Sequence, residues 1–451
     1  MTDTQTNPWL QRFDGLNSAD EIRSRVTIRG TVLTDLDSTP EYRIGTAIEQ
    51  ALSSFYIPTS ADVEILTRIV QRCLSHGYCT YKDRKQYFEK LYIPYEAFEL
   101  QFVEPICLTG LAGVGKTALI HALQRLLPAP SQISLGAGHS DVPLVSNWHI
   151  HVQGRSSINA LLKSLITAEL GDARKGSVEQ LTRLCAKIAH RNGVTLLVID
   201  ELQFLTQSAN ASTLVAQTLS QFSHLGVPVV FAANYSLCRL LQKRSEQERQ
   251  RLLMRPTVLL PSVPDSPDWA NYLLELNRIL GSSLKVDMVG QRHAIHRLTA
   301  GLKRLVIQLL SIAYQKAWRP DKTEVTSDDI NCAYDSIEYS ISRNQATTML
   351  ASYSAVGSRL YECPFPLPKV TAAAAIAAAS HERTHAFMLK VQREALTRQE
   401  REHLASTKRP ENAPVALQAP SPARKPRRSK LTSAELLQTN LRRKGGGIYP
   451  K

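Results

Sequence analysis

The sequence predicts an α/β protein with a parallel five-stranded sheet and flanking helices. A small helical lid, a helical N-terminal leader and a disordered basic C-terminal tail complete it. Three observations predict this. From about residue 101 to 264, short apolar runs alternate with longer amphipathic stretches, the pattern of a parallel sheet covered on both faces. The first of these runs ends in a glycine-rich turn that opens a helix. After Pro264 the strand-like runs give way to helical ones, and after residue 404 large apolar side chains become sparse.

The leader spans residues 1–100 and reads as a helical region suited to contacting a partner. "EYRIGTAIEQALSSFY" carries apolar residues at helical spacing. "IPTSADVEILTRIVQRCLSHGY" is better delimited: Thr59 or Ser60 can cap it, Asp62 and Glu64 suit its positive end, and Gly77 can stop it. Aromatic residues then cluster in "YKDRKQYFEKLYIPYEAFELQF".

The core spans 101–264. Strands are expected at 105–110, 147–153, 194–200, 227–234 and 257–261, with helices at 116–126, 157–170, 177–192 and 211–224. The lid spans 265–345 and is built from "SPDWANYLLELNRILG", "AGLKRLVIQLLSIAYQKAW" and "TSDDINCAYDSIEYS". Residues 346–404 read as an irregular segment followed by a helix from 370. The tail, 405–451, holds too few large apolar side chains to offset the entropy of ordering. Within it "LTSAELLQTNL" (431–441) has the spacing of a short helix that can dock on a partner.

Of the net charge of +14, residues 404–451 contribute +9, from eleven Lys/Arg against two Glu. Such a tail suits an acidic partner, nucleic acid above all, or is simply a solvated end. The seven cysteines are odd in number and irregularly spaced, which argues for a reducing compartment rather than a disulfide framework. Cys73, His76 and Cys79 lie close together, but no second pair follows at zinc-finger spacing. No apolar run reaches the roughly 20 residues of a membrane span, and the N-terminus lacks the pattern of a secretory signal. A cytoplasmic, nucleoid-associated bacterial protein with no membrane partner is the expectation.

Gly110-Leu111-Ala112-Gly113-Val114-Gly115-Lys116-Thr117 fits G-x-x-x-x-G-K-[ST], with Ala118 continuing the helix. The glycines let backbone N–H groups turn inward around a β-phosphate. Lys116 reaches the β and γ oxygens, and Thr117 offers its hydroxyl to Mg²⁺. An acid is then expected at the end of a neighbouring buried strand. "TLLVIDELQFL" supplies Asp200 for the Mg²⁺ shell and Glu201 to polarise the attacking water, although such a pair also serves as a helix cap. Asn234 ends "VPVVFAAN", where it can orient that water or act as a plain strand-end turn residue. The stretch before the last strand is dense in arginine. Arg249, Arg251 and Arg255 are candidates for a charge-neutralising Arg acting in trans, and taken singly each also fits a solvated helix face. Lys303 and Arg304 open a lid helix, from which a cation can close on the nucleotide.

These elements together resemble AAA+ ATPases, and "VIDELQFL", "ANYSLCRLLQKRSEQERQRL" and the lid stretches resemble the TnsC/TniB transposition regulators over about residues 40–340. The resemblance implies an AAA+ core that binds and hydrolyses ATP with Mg²⁺ and assembles as rings or helical filaments on double-stranded DNA. It implies coupling of a target-site selector, contacted through the leader, to a transposase, with hydrolysis dissolving the assembly. It assigns Lys116, Asp200, Glu201 and Asn234 to catalysis and the 110–118 loop to ATP. It does not choose between Lys303 and Arg304, nor among the three arginines. A DNA-tracking assembly needs cations that face phosphates without reading bases, and Arg155, Lys163, Arg174 and Lys175 are the candidates. Two other readings stand beside this one: a replication initiator or helicase loader, and a signalling P-loop switch without DNA.

Overall fold

The computed structural model describes residues 7–34, 36–82, 84–134, 140–152, 156–172, 174–200, 202, 211–319, 322–352 and 362–367. The expected helix from 370, the 431–441 island and the basic tail lie outside them.

The leader forms α1 (Pro8–Gln11), α2 (Ala19–Val26), α3 (Ile44–Ser54), α4 (Ser60–Thr80) and α5 (Arg84–Tyr92). Thr59 caps α4 reciprocally: its hydroxyl accepts from the Asp62 amide at 3.0 Å, and the Asp62 carboxylate accepts from the Thr59 amide at 2.9 Å. The helix does not stop at Gly77 but runs to Thr80. The glycine serves a close approach instead, because a Cβ there would lie 3.0 Å from Leu10 Cδ2.

The core follows as β1 (Ile106–Gly110), α6 (Lys116–Leu126), β2 (Ser131–Ile133), β3 (Val142–Leu144), β4 (Asn147–His151), α7 (Ile158–Leu170) and α8 (Val178–Arg191). It continues through β5 (Leu196–Asp200), α9 (Ala211–Ser223), β6 (Val229–Ala233), α10 (Tyr235–Gln242), α11 (Glu246–Leu253) and β7 (Arg255–Leu259). Five strands form a parallel sheet in the order β4-β5-β6-β1-β7. The interior strands β5 and β6 are buried at every position, whereas the edge strands β4 and β7 are only partly covered. Pro256, which cannot donate to a ladder, sits on the edge strand β7. The short antiparallel pair β2–β3 was not expected; strands of three residues leave no readable period.

The lid comprises α12 (Pro267–Leu280), α13 (Arg292–Thr299), α14 (Lys303–Ala317), α15 (Ser327–Asp335) and α16 (Ser340–Ser352). A turn at 336–339 separates α15 from α16, and α16 extends into the segment expected to be irregular.

Alternate residues of each interior strand face opposite cores. Leu108, Leu196, Val198, Val230 and Ala232 join α6, the lid and helices α2–α4 of the leader in one apolar cluster. Cys107, Leu197, Ile199, Val229 and Phe231 join α7–α11 in the other. The leader therefore shares its core with the lid. Ile44, Ile48 and Leu52 of α3 are fully or almost fully buried, and α3 packs on α14. Burial of that kind contributes about 2 kcal/mol per side chain. The aromatic residues of the leader form a third cluster, in which Trp9, Tyr81 and Tyr87 pack on Val142 and Leu144 of the β2–β3 hairpin.

Candidate nucleotide site

The site lies at the carboxyl ends of the parallel strands, where open α/β sheets receive ligands. The strand β1 ends at Gly110, and α6 starts at Lys116. Between them Gly113 (φ 84°) and Gly115 (φ 111°) hold left-handed backbone conformations that a side chain would strain. Leu111 and Val114 are buried and pin the loop to the core while Thr117 and Ala118 remain exposed. Lys116 Nζ donates to the carbonyls of Gly110 and Leu111, each at 2.9 Å, which holds its ammonium against the loop.

Asp200 ends β5 and is 3 % exposed. Its strand is not the immediate neighbour of β1, as the adjacency of loop and acid suggested: β6 lies between them. That intervening strand delivers Asn234, so the loop, the Asn and the Asp come from three consecutive strands. Asn234 also caps α10; its Oδ1 accepts from the Leu237 amide at 2.9 Å and from Ser236 Oγ at 2.8 Å. Its Nδ2 takes no part in that cap. Glu201 lies outside the described residues.

The lid reaches the loop through Arg304. A Cβ built on Gly113 would lie 2.9 Å from Arg304 Nε and 3.2 Å from its Cβ. The turn before α14, with Ala300 (φ 50°) and Gly301 (φ 70°) both left-handed, aims the start of the helix at the loop. Arg304 Nη2 donates to Gln345 Oε1 at 3.4 Å, and Gln345 Nε2 donates to the Ala112 carbonyl at 3.5 Å. No motif pointed to Gln345. Lys303 turns away: its Nζ lies 4.0 Å from the buried Asp62 carboxylate and 5.5 Å from the centre of the Tyr272 ring.

The remaining candidates lie elsewhere. Arg255 pairs in register with Ile106, whereas Gly110 pairs with Leu259, so Arg255 sits at the far end of the sheet, about 13 Å along β1 from the loop. There it meets Glu104 at 3.2 Å. Arg251 lies over the Phe102 ring at 5.5 Å, and Arg249 is exposed on α11. Arg255 and Arg251 are thus held at residues 102–106, before the loop-bearing end of β1. Lys163 is half-buried on α7, and Arg174 and Lys175 are exposed in the connection to α8, with Arg174 3.8 Å from Asp172. Arg155 lies outside the described residues. Among the described residues no group of His, Cys, Asp and Glu could hold a metal by itself, so a cation here would need phosphate oxygens among its ligands.

The donor set fits a Mg²⁺–nucleotide. The turned glycine backbone and Lys116 would hold the phosphates, and Thr117 and Asp200 would hold the metal shell. A five-stranded parallel sheet with a phosphate loop, an acid two strands away, a polar residue on the strand between and a helical lid is an AAA+ core. Residues 104–241 match the family described as an AAA domain. No curated protein matches the chain in sequence. Among solved structures it is similar to the Aeropyrum pernix ORC1 protein in complex with DNA (16% identity, 58% of this chain and 75% of that chain, TM-score 0.38). It is also similar to Cdc6p from Pyrobaculum aerophilum (13% identity, 68% and 98%, TM-score 0.36). A third similar structure is Drosophila ORC bound to DNA (16% identity, 66% and 78%, TM-score 0.33). Among the described residues no helix is long and apolar enough to cross a membrane.

Proposed function

We propose that this chain is an ATP-hydrolysing AAA+ regulator of transposition. It oligomerises on double-stranded DNA when ATP is bound, couples a target-site selector to a transposase, and comes apart on hydrolysis. The observation that carries the nucleotide switch is the close approach of Arg304 to Gly113, which sets the lid against the loop. A γ-phosphate at Lys116 would attract Arg304, so the state of the nucleotide biases the position of the lid. Lys116 and the loop amides bind phosphate, Thr117 and Asp200 place Mg²⁺, Glu201 polarises the water and Asn234 orients it. One of Arg249, Arg251 and Arg255 acts on a neighbouring copy, a role that the distance of Arg255 from the chain's own loop supports for that residue. The link to transposition rests on the resemblance of the three stretches quoted above to the TnsC/TniB regulators.

The test is electron microscopy of the protein with duplex DNA, with and without a non-hydrolysable ATP analogue, beside Lys116→Ala. Nucleotide-dependent rings or filaments on DNA of any sequence, lost in the variant, are expected. Binding restricted to one duplex sequence would move the reading to a replication initiator, and monomers indifferent to DNA would move it to a signalling switch.

A further inference from the structure

Beneath the phosphate loop two thiols face each other. Cys107 of β1 and Cys238 of α10 are fully buried with their sulfurs 3.7 Å apart. The Cys238 thiol donates to Thr109 Oγ1 at 3.2 Å, and Thr109 directly precedes Gly110. Cys238 lies one helical turn beyond Asn234, the residue that caps α10. The pair thus ties the strand that carries the loop to the helix that starts at the strand-end Asn.

We propose that Cys107 and Cys238 form a reversible disulfide that switches nucleotide binding off under peroxide; this rests on the reading of the loop as an ATP site. The chemistry favours Cys238 as the thiol that reacts first. Its hydrogen bond with Cys107 lowers its pKa, helped by Thr109 and by the charges of Lys116 and Arg239. Burial pushes the Cys107 thiol up, so Cys107 keeps its proton and resolves the intermediate. The Cys238 thiolate attacks one oxygen of hydrogen peroxide and becomes the sulfenic acid, and the departing hydroxide takes up a proton to leave as water. The Cys107 sulfur then attacks the sulfenic sulfur, the S–O bond breaks, and the hydroxyl leaves with the Cys107 proton as a second water. Two thiols and one peroxide give one disulfide and two waters.

Closing the sulfurs to a bonded separation of about 2.0 Å brings them about 1.7 Å nearer to each other, between β1 and α10, and removes the thiol from Thr109. The loop and Asn234 stand at the two ends of that movement. A disulfide at this position therefore changes the site without touching the ligand.

The experiment uses the full chain with the exposed Cys79 and Cys332 replaced by Ser, so that surface thiols do not consume the oxidant. The protein is treated with hydrogen peroxide and digested without reductant, and the peptides are weighed. Binding of a fluorescent ATP analogue is measured before oxidation, after it, and after dithiothreitol. The expected result is a Cys107–Cys238 peptide pair lighter by two hydrogens and an affinity lower by about tenfold or more, restored by reductant and absent in Cys238→Ser. No linked pair, a link to Cys363 instead, or a linked pair with unchanged affinity would each overturn the proposal. Failure of the reduced protein to bind the analogue would count against the ATP site itself, while the mass of the peptides would still decide whether the disulfide forms.

Discussion

Arg304 of the lid lies across Gly113 of the phosphate loop, so close that a methyl group on the glycine would sit 2.9 Å from Arg304 Nε. Its neighbour Lys303 points to Asp62 and Tyr272 instead. Two adjacent cations at one helix start thus face different neighbours, one the glycine-rich loop and one the leader.

Arg304→Ala should therefore lower ATP turnover by about 10²-fold, the loss typical of one preorganised charge-stabilising donor, with little change in melting temperature. Lys303→Ala should do the reverse. It leaves turnover near wild type and lowers stability by about 1 kcal/mol, from a cation–π contact and a distant ion pair. Steady-state kinetics and thermal melts of both variants check the assignment, and equal kinetic losses would refute it. Gly113→Ala should abolish nucleotide binding, because φ 84° strains any side chain and the added methyl displaces Arg304.

Asn234 caps α10, and substitution can separate that duty from the proposed one in hydrolysis. Its Oδ1 makes the cap, and the cap does not use its amide nitrogen, the group proposed to orient the water. Asn234→Ala should cost about 1 kcal/mol of stability together with hydrolysis. Asn234→Asp keeps the capping oxygen but brings a negative charge to the phosphates. It should melt near wild type while turnover falls by about 10²-fold. A variant that hydrolyses ATP normally would reduce Asn234 to a cap.

How much of this was legible in the sequence depends on range. The loop, the strand ending at Asp200 and the strand ending before Asn234 are local patterns, and β1 and α6 meet the loop at the residues its motif marks, Gly110 and Lys116. The choice of Arg304 over Lys303 was not legible, because both residues open the same helix and their neighbours, Gly113 for one and Asp62 and Tyr272 for the other, are distant in sequence. The sharing of one core by leader and lid was equally hidden. The helical periodicity of α3 shows that it buries a face, but not that the face belongs to α14.

Acid should destabilise the protein before its carboxylates titrate. Burial drops His76 and His190 from 6.5 to about 4, and the nearby His190 charge adds to the effect at His76. Both are neutral in the fold but bind protons in the unfolded chain once the pH falls below 6.5. Stability is therefore lost from pH 6.5 down to about 4 and is flat above that window with respect to these groups. For the well-buried His190 the loss approaches about 3 kcal/mol at the lower end. Urea titrations between pH 7.5 and 4.5 should show this slope, and His190→Gln should flatten it. An unchanged slope in that variant would place the sensitivity elsewhere.

A buried carboxylate of the lid is one of the groups that hold the leader, and it yields the last prediction. Glu275 of α12 is 4 % exposed. Its Oε1 accepts from the Gly30 amide at 3.0 Å and from Arg278 Nη2 at 2.6 Å, and Oε2 accepts from Arg278 Nε at 3.0 Å, with Arg29 at 3.5 Å. The hydrogen bonds from Arg278 hold this carboxyl below its ordinary range, so the group contributes stability above pH 4.5 that fades as the pH falls through its lowered value. Glu275→Ala strands the Gly30 amide, a loss of about 2 kcal/mol, while Arg278 keeps solvent and its bond to the Gly30 carbonyl. Because Gly30 packs on Ile279, with room for no Cβ, the leader cannot shift to recover the bond. Limited proteolysis should then cut the 27–43 connection of the variant well before the wild type, while Lys116→Ala, which leaves this contact intact, should keep wild-type resistance. Equal cleavage rates for Glu275→Ala and wild type would mean that the apolar face of α3 and the other polar contacts, such as Ser60 with Asp268 and Gly45 with Gln315, hold the leader without Glu275.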